Sequence, residues 1–395
     1  MPELACLAGG SSSPDGARPA PPKPPPRRRA CWPAGAPRPR LVPRATAALT
    51  PGAFGGARSA AQQLRVFDTR VGPGKHDYVH AVAAGEAGGP PVVLCPGYGA
   101  GAAFFWRNLG PLAAAGYRCY AVDWLGTGLS GRPPFTAATH DQAVAFFLDA
   151  LEAWRAANGI DRFALLGHSL GGYLAARYAL RHPERVERLI LAGPAAIAAR
   201  PSPPPDSLWY KALAAAWEGG VTPGSIVRCF GPAAPGHAAF YAEKRFHDGV
   251  PLTKAEQGAF GSYAYHILAA DGSGEYALPK LLAPGAWARE PLLPALAALR
   301  APVTFIYGER DWMDWRAGEA AAAHVRTQAR QEAALVRVPA AGHYVNIDQP
   351  RLFHGHVMRA LRGEPARQDD AAPQAPAEAL GQGSPRRANA NVDVA

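Results

Sequence analysis

Long apolar runs are missing from this 395-residue chain. No stretch of about 18 residues is free of Gly, Pro and charge, which argues against a transmembrane helix. Cysteine is sparse and odd in number: five residues, with neither metal-ligand nor disulfide spacing. That usage points to a reducing compartment. Cys95 and Cys119 fall inside strand-like apolar runs, where a free thiol behaves as a small hydrophobe. Neither GxxxxGK[ST] nor HExxH occurs, and His354 and His356 lie two apart on an expected helix, unable to chelate from one face. No metal site and no cofactor is expected. Acidic residues are nearly absent from the first sixty positions, where Glu3 and Asp15 face nine Arg and Lys residues. This stretch carries +7 of the formal +10, so the basic excess belongs to an extension. Nucleic-acid binding by the folded part is not indicated.

Residues 1–60 are rich in Pro, Ala, Arg and Ser and show no apolar period. They read as an organelle transit peptide removed near Val42-Pro43-Arg44-Ala45, or else as a disordered basic tail. The bias toward Arg and against acids favours the first; chloroplast and mitochondrion are not separated by it. A secretory signal lacks its apolar core here. Residues 366–395, with Pro373, Pro376 and Pro385, form a second low-complexity tail expected to be disordered.

Between the tails, residues 61–365 alternate strand and helix signals, implying an α/β domain with a mostly parallel sheet covered on both faces. Strands are expected at residues 64–69 and 78–82, both half-exposed at an antiparallel edge. Further strands are expected at 91–95, 118–122, 163–166, 186–191, 303–307 and 334–338. Helices fit 139–157, 170–181, 316–330 and 350–362. The Pro- and aromatic-rich stretch 198–298 breaks the alternation and reads as a lid over the mouth of a site.

The chemistry starts at Gly167-His168-Ser169-Leu170-Gly171-Gly172, which follows the apolar run Phe163–Leu166 and precedes a helix. Strand, glycine-flanked serine, helix is the arrangement that lifts a serine hydroxyl off a sheet edge at a sharp turn. Ser169 as nucleophile needs a base and an acid to fix the base's tautomer. In this architecture the acid follows a late strand and the histidine follows the last. Thr304–Tyr307 runs into Gly308-Glu309-Arg310-Asp311, which makes Asp311 the candidate acid, with Glu309 and Asp314 as rivals. Of the histidines beyond it, only His343, just past Val338, lies on a loop after a strand. Oxyanion donors are expected from the backbone N–H groups of Leu170 and Tyr98, the latter in Pro96-Gly97-Tyr98-Gly99.

Gly126-Thr127-Gly128-Leu129-Ser130-Gly131 matches GxGxxG and follows a strand, but Arg132-Pro133-Pro134 comes next where a dinucleotide-binding helix should open. Gly97-x-Gly99-x-x-Ala102 is a looser match.

These motifs, with Asp123-Trp124-Leu125-Gly126-x-Gly128-x-Ser130-x-Arg132-Pro133, Asp311-Trp312-Met313 and Gly342-His343-Tyr344-Val345, resemble the α/β-hydrolase superfamily over residues 64–362. They are most similar to the glycerolipid-metabolising subfamily of abhydrolase-domain proteins four and five and their plant relatives. The resemblance implies an α/β-hydrolase fold with a helical lid, and glycerolipid or lysophospholipid substrates. It implies lipase or lysophosphatidic acid acyltransferase activity, with acyl-CoA as co-substrate for the latter, and contact with a membrane or lipid-droplet surface. A non-catalytic lipase regulator on the same fold is the alternative. The subfamily's His-x₄-Asp pattern, tied there to acyl transfer, is present as His343 and Asp348. Asp348-Gln349-Pro350 equally resembles an N-cap opening the last helix. The departure is Pro96, where the superfamily usually has histidine. Trp209, Tyr210, Trp217, Phe230, Phe240 and Tyr241 in the lid suit acyl-chain binding, lipid docking or a plain lid core.

Overall fold

The structure is a computed structural model that describes residues 64–200, 206–230 and 252–368. The extension at 1–60, the tail beyond 368, Phe240 and Tyr241 lie outside the described residues. Among those residues, eight strands form one sheet: β1 (Arg65–Arg70), β2 (Tyr78–Ala84), β3 (Pro91–Cys95), β4 (Arg118–Val122), β5 (Phe163–His168), β6 (Val186–Ala192), β7 (Val303–Gly308) and β8 (Ala333–Val338). Their spatial order is β1-β2-β4-β3-β5-β6-β7-β8. Only the β1–β2 and β2–β4 pairings are antiparallel. The rest run parallel, so their connections must cross the sheet faces, usually as helices.

Alternation within the strands divides the core in two. Val93, Cys95, Leu165 and Leu191 point to one face. There they meet Phe147, Leu151 and Trp154 of helix α2 (His140–Ala157) and Tyr173, Leu174 and Tyr178 of α3 (Leu170–Arg181). Val92, Leu94, Ala164, Leu166 and Ile190 point to the other. That face is covered by Leu109 and Leu112 of α1 (Trp106–Ala114) and by Phe353, Val357 and Met358 from the last helix, Pro350–Arg362. Thr139 and Gln142 close a reciprocal capping box at the start of α2. Gly363, at φ +69°, ends the last helix in a left-handed turn.

Two expectations change, and one helix was not expected at all. β2 is buried rather than half-exposed, because β1 takes the sheet edge and leaves β2 paired on both sides. The helix expected over 316–330 is α-helical only at Trp315–His324 and continues as a π turn, Val325–Ala329. Helix α1 interrupts its own signal with Gly110-Pro111, yet forms because Leu109, Leu112 and Ala113 are buried against the sheet.

Glu152 of α2 receives hydrogen bonds from Arg155 at 2.7 and 2.8 Å and from the Tyr178 hydroxyl of α3 at 2.6 Å. The Arg155 bonds hold its pKa at about 2, down from 4.5. A depressed carboxyl contributes stability above its unfolded value and loses it as pH falls through the folded one. Replacing Glu152 by Gln should therefore flatten the fall in melting temperature between pH 4.5 and about 2. An unchanged slope would remove this cluster from the acid-stability account.

The stretch 198–298, expected to be a lid, holds α4 (Leu208–Glu218), α5 (Pro223–Cys229) and α6 (Lys254–Ala269) among its described residues. Helix α6 packs Phe260, Tyr263, Ala264 and Ile267 onto Phe104 and Trp106, just beyond β3. Helix α4, despite the sequence LWYKALAAAWE, has no buried residue.

Candidate active site

The sheet's parallel strands end together on one edge, and the turns leaving them carry the chemistry. β5 passes straight into α3 through Ser169, whose φ of 55° and ψ of −123° lie outside the regions ordinary residues favour. Such a conformation costs about 1–3 kcal/mol and persists because its surroundings over-determine it. Ser169 N–H donates to Ala192 O at 2.9 Å, and Ala195 N–H donates to Ser169 O at 3.1 Å. A Cβ on Gly171 would stand 2.3 Å from the Pro96 carbonyl oxygen, so the close passage of β3's exit past α3 requires glycine there. The Leu170 N–H opens α3, where a helix has no acceptor of its own to offer.

Beyond β7, the Asp311 side chain is fully buried and its Oδ1 lies 2.8 Å from His343 Nδ1. Oδ1 also accepts from the Met313 N–H at 2.9 Å. Carboxylate oxygen can only accept, so Nδ1 carries a proton, and in the neutral imidazole Nε2 then keeps its lone pair. The rival acids are engaged elsewhere: Glu309 accepts from Ala340 N–H, and Asp314 caps the following helix through Arg316 N–H.

Gly193, which no motif signalled, and His168, inside the Gly-His-Ser motif, adjoin the pair. A Cβ on Gly193, at φ +47°, would come within 2.6 Å of Asp311 Oδ2 and 3.1 Å of His343 Nδ1, so the turn after β6 closes directly over the pair. His168, the middle residue of Gly-His-Ser, donates from Nε2 to His343 O at 2.9 Å. Its ring centre is 4.7 Å from that of His343. Trp312, half-exposed, sets its ring 5.0 Å from His343 at the outer side.

Asp348 does not cap the last helix. That position belongs to Gln349, which makes no side-chain cap, while Asp348 ends a single turn, Val345–Asp348, and its Oδ2 accepts from Gly342 N–H at 2.8 Å. The backbone amide of Gly342 outcompetes the helix start for this carboxylate.

The Asp-Trp-x-Gly-x-Gly-x-Ser-x-Arg motif proves to be a fastening. Asp123, fully buried, accepts from Ala102 N–H at 2.6 Å and Leu129 N–H at 2.7 Å, while burial pushes its pKa up. The glycine-rich loop thus wraps a carboxylate of its own chain. Trp124 Nε1–H donates to Pro96 O at 3.0 Å, bracing the exit of β3. The Arg132 guanidinium donates to Gly126 O and Gly128 O on the core and to Ile267 O and Asp271 O on the lid side. Tyr98 also reaches the lid, its hydroxyl accepting from Gly224 N–H at 3.0 Å, and burial pushes its pKa well up.

Among the lid aromatics, Trp209 is 77% exposed and Phe230 47%. Trp217 is tied to Leu282 O at 2.9 Å, and Tyr210 accepts from Arg200 at 2.7 Å. Trp217 is also half-buried against the main core, so the four do not share one environment.

A family model for the alpha/beta hydrolase fold matches residues 90–218. The 1-acylglycerol-3-phosphate O-acyltransferase of Arabidopsis thaliana is 41% identical over 70% of this chain and 68% of its own length. The chain belongs to the α/β-hydrolase family. Within that family it is also similar to the (lyso)-N-acylphosphatidylethanolamine lipase of Mus musculus, 33% identical over 68% of this chain and 78% of that protein. Among solved structures, a bacterial membrane phospholipase A aligns with a TM-score of 0.55 at 24% identity, covering 76% of this chain and 86% of the other. At that identity it speaks for the fold. No helix among the described residues is long and apolar enough to cross a membrane.

Proposed function

We propose that this hydrolase-family protein is a serine-dependent acyl-ester enzyme acting on glycerolipids. The observation that carries the reading is the buried Asp311–His343 contact of 2.8 Å on the strand edge that also presents Ser169 at φ 55°. Ser169 Oγ attacks the ester carbonyl while His343 Nε2 takes its proton. The amides of Tyr98 and Leu170 hold the oxyanion; the carbon–oxygen bond to the glycerol breaks, and His343 returns the proton to the departing alkoxide. The acyl-enzyme then passes to water, giving fatty acid, or to a lysophospholipid hydroxyl, giving a new ester. Acyl-CoA serves equally as the acyl donor in the first step, its thiolate taking the returned proton. Asp311 orients the base, and its companions Glu309 and Asp314 take no part.

The lipid assignment draws on the relatives' names and on the lid. Leu208, Trp209 and Leu213 on α4, with Ile226 and Phe230 at i and i+4 across α5's end, stand exposed. We read these exposed apolar side chains as facing a membrane or lipid-droplet surface. Residues 1–60 are read as the segment that addresses the chain to an organelle.

The test incubates the full chain with lysophosphatidate and acyl-CoA in phosphatidylcholine vesicles, following free fatty acid and phosphatidate together. Phosphatidate that rises with enzyme, at more than a few per cent of the fatty acid, is the expected sign of transfer. Fatty acid alone leaves a lipase, and neither product sinks the reading. Trp209→Ser should slow the vesicle reaction several-fold and spare a short-chain soluble ester; equal rates on vesicles would remove the lid from lipid contact.

A further inference from the structure

Three separate parts of the chain converge on the two residues Gly342 and His343. Asp311 takes the His343 ring at Nδ1, Asp348 takes the Gly342 amide, and His168 takes the His343 carbonyl. The last two contacts grip backbone, one on each side of the histidine's Cα. Because a carbonyl only accepts, His168 must carry its proton on Nε2. It projects from the turn that holds Ser169, so it links nucleophile and base directly.

Asp348 is equally well founded. Its turn is pinned to α1 by a reciprocal amide pair: Asn108 Nδ2 donates to Asn346 O at 3.2 Å, and Asn346 Nδ2 donates to Asn108 Oδ1 at 3.3 Å and to Phe104 O at 3.0 Å. Both asparagines are buried, and Asp348 itself is only 5% exposed. A carboxylate so enclosed, with one oxygen on Gly342 N–H, is placed to fix a loop rather than to meet a lysophospholipid hydroxyl.

We propose that His168 and Asp348 are positioning residues that clamp the backbone on either side of His343 and so set the approach of its ring to Ser169. This rests on the serine–histidine reading above, and it gives the His-x₄-Asp aspartate a role common to hydrolysis and transfer. A catalytic group displaced by about 1 Å can lose on the order of 100-fold in rate. The clamp's loss belongs in that range.

The test uses a fluorophosphonate, which needs no lipid: a Ser169 Oγ–P bond forms, fluoride leaves, and the serine proton passes to His343. The full chain is compared with Asp348→Ala, Asp348→Asn, His168→Phe and His168→Gln for labelling rate, ester kcat and KM, and melting temperature. Ala and Phe remove the grip and should label about 10- to 100-fold slower, with kcat reduced and KM little changed. Asn keeps an acceptor for Gly342 and Gln keeps a donor for His343, so each should recover to within about threefold of the parent. The Asn, Phe and Gln variants carry the test should Asp348→Ala fail to fold. Equal labelling in all four variants overturns the clamp. So does an Asp348→Asn chain that hydrolyses normally but no longer makes phosphatidate, since that assigns the carboxylate to transfer itself. A parent chain that does not label defeats the serine reading, an outcome distinct from either.

Discussion

Ser169→Ala is expected to abolish ester hydrolysis and acyl transfer together, with kcat falling on the order of 10⁶-fold and fluorophosphonate labelling lost altogether. The size follows from the chemistry: without Oγ there is no covalent acyl intermediate, and both products descend from it. Only uncatalysed attack by water remains, helped by whatever the oxyanion amides retain. The fold should survive, since Ser169 contributes its backbone to the turn through Ala192 O and Ala195 N–H, and alanine keeps both bonds. Melting temperature should therefore stay near the parent's while activity disappears. Full activity in this variant would end the enzymatic reading, and a parent serine inert to the probe would favour a lipase-regulating role instead.

Asp311→Asn should cost about 10⁴-fold in kcat with substrate binding little changed. The carboxylate holds His343 with its proton on Nδ1 and its lone pair on Nε2. An amide placed in the same pocket presents an NH₂ group to Nδ1 and so favours the opposite tautomer, which has no lone pair facing the serine. Met313 N–H competes for the remaining amide oxygen and reinforces that flip. Glu309→Gln and Asp314→Asn serve as controls and should keep activity within about threefold, because their side chains face Ala340 and Arg316. A larger loss in either than in Asp311→Asn, measured by steady-state kinetics, would move the acid.

The three residues proposed to act together were candidates from sequence because each sits where a strand ends, and strands write themselves as apolar runs with turn residues behind them. β3, β4 and the last helix lie at the expected residues, and β7 runs one residue further. Helix α1 escaped because Gly110-Pro111 speaks against it locally while its buried face is set by the distant sheet. The same limit hid His168 and Gly193. Their roles consist of contacts with a residue 175 positions away, in one case, and with a pair of side chains from two other loops, in the other. Asp348 fitted a local cap pattern, and the backbone N–H of Gly342, six residues back, claimed it first.

Arg132 has a consequence for how lipid could enter. Its guanidinium stitches Gly126 and Gly128 to Ile267 and Asp271, and the Gly274 N–H adds a strut to Gly126 O at 3.1 Å. The part of the cover bearing α6 is thereby held to the loop after β4, and α5 is held in turn, Gly224 N–H on the Tyr98 hydroxyl and Arg228 on Leu268 O and Ala270 O. In the proposed lipid reaction a fatty chain would therefore pass helices fastened to the body rather than enter beneath a freely swinging flap.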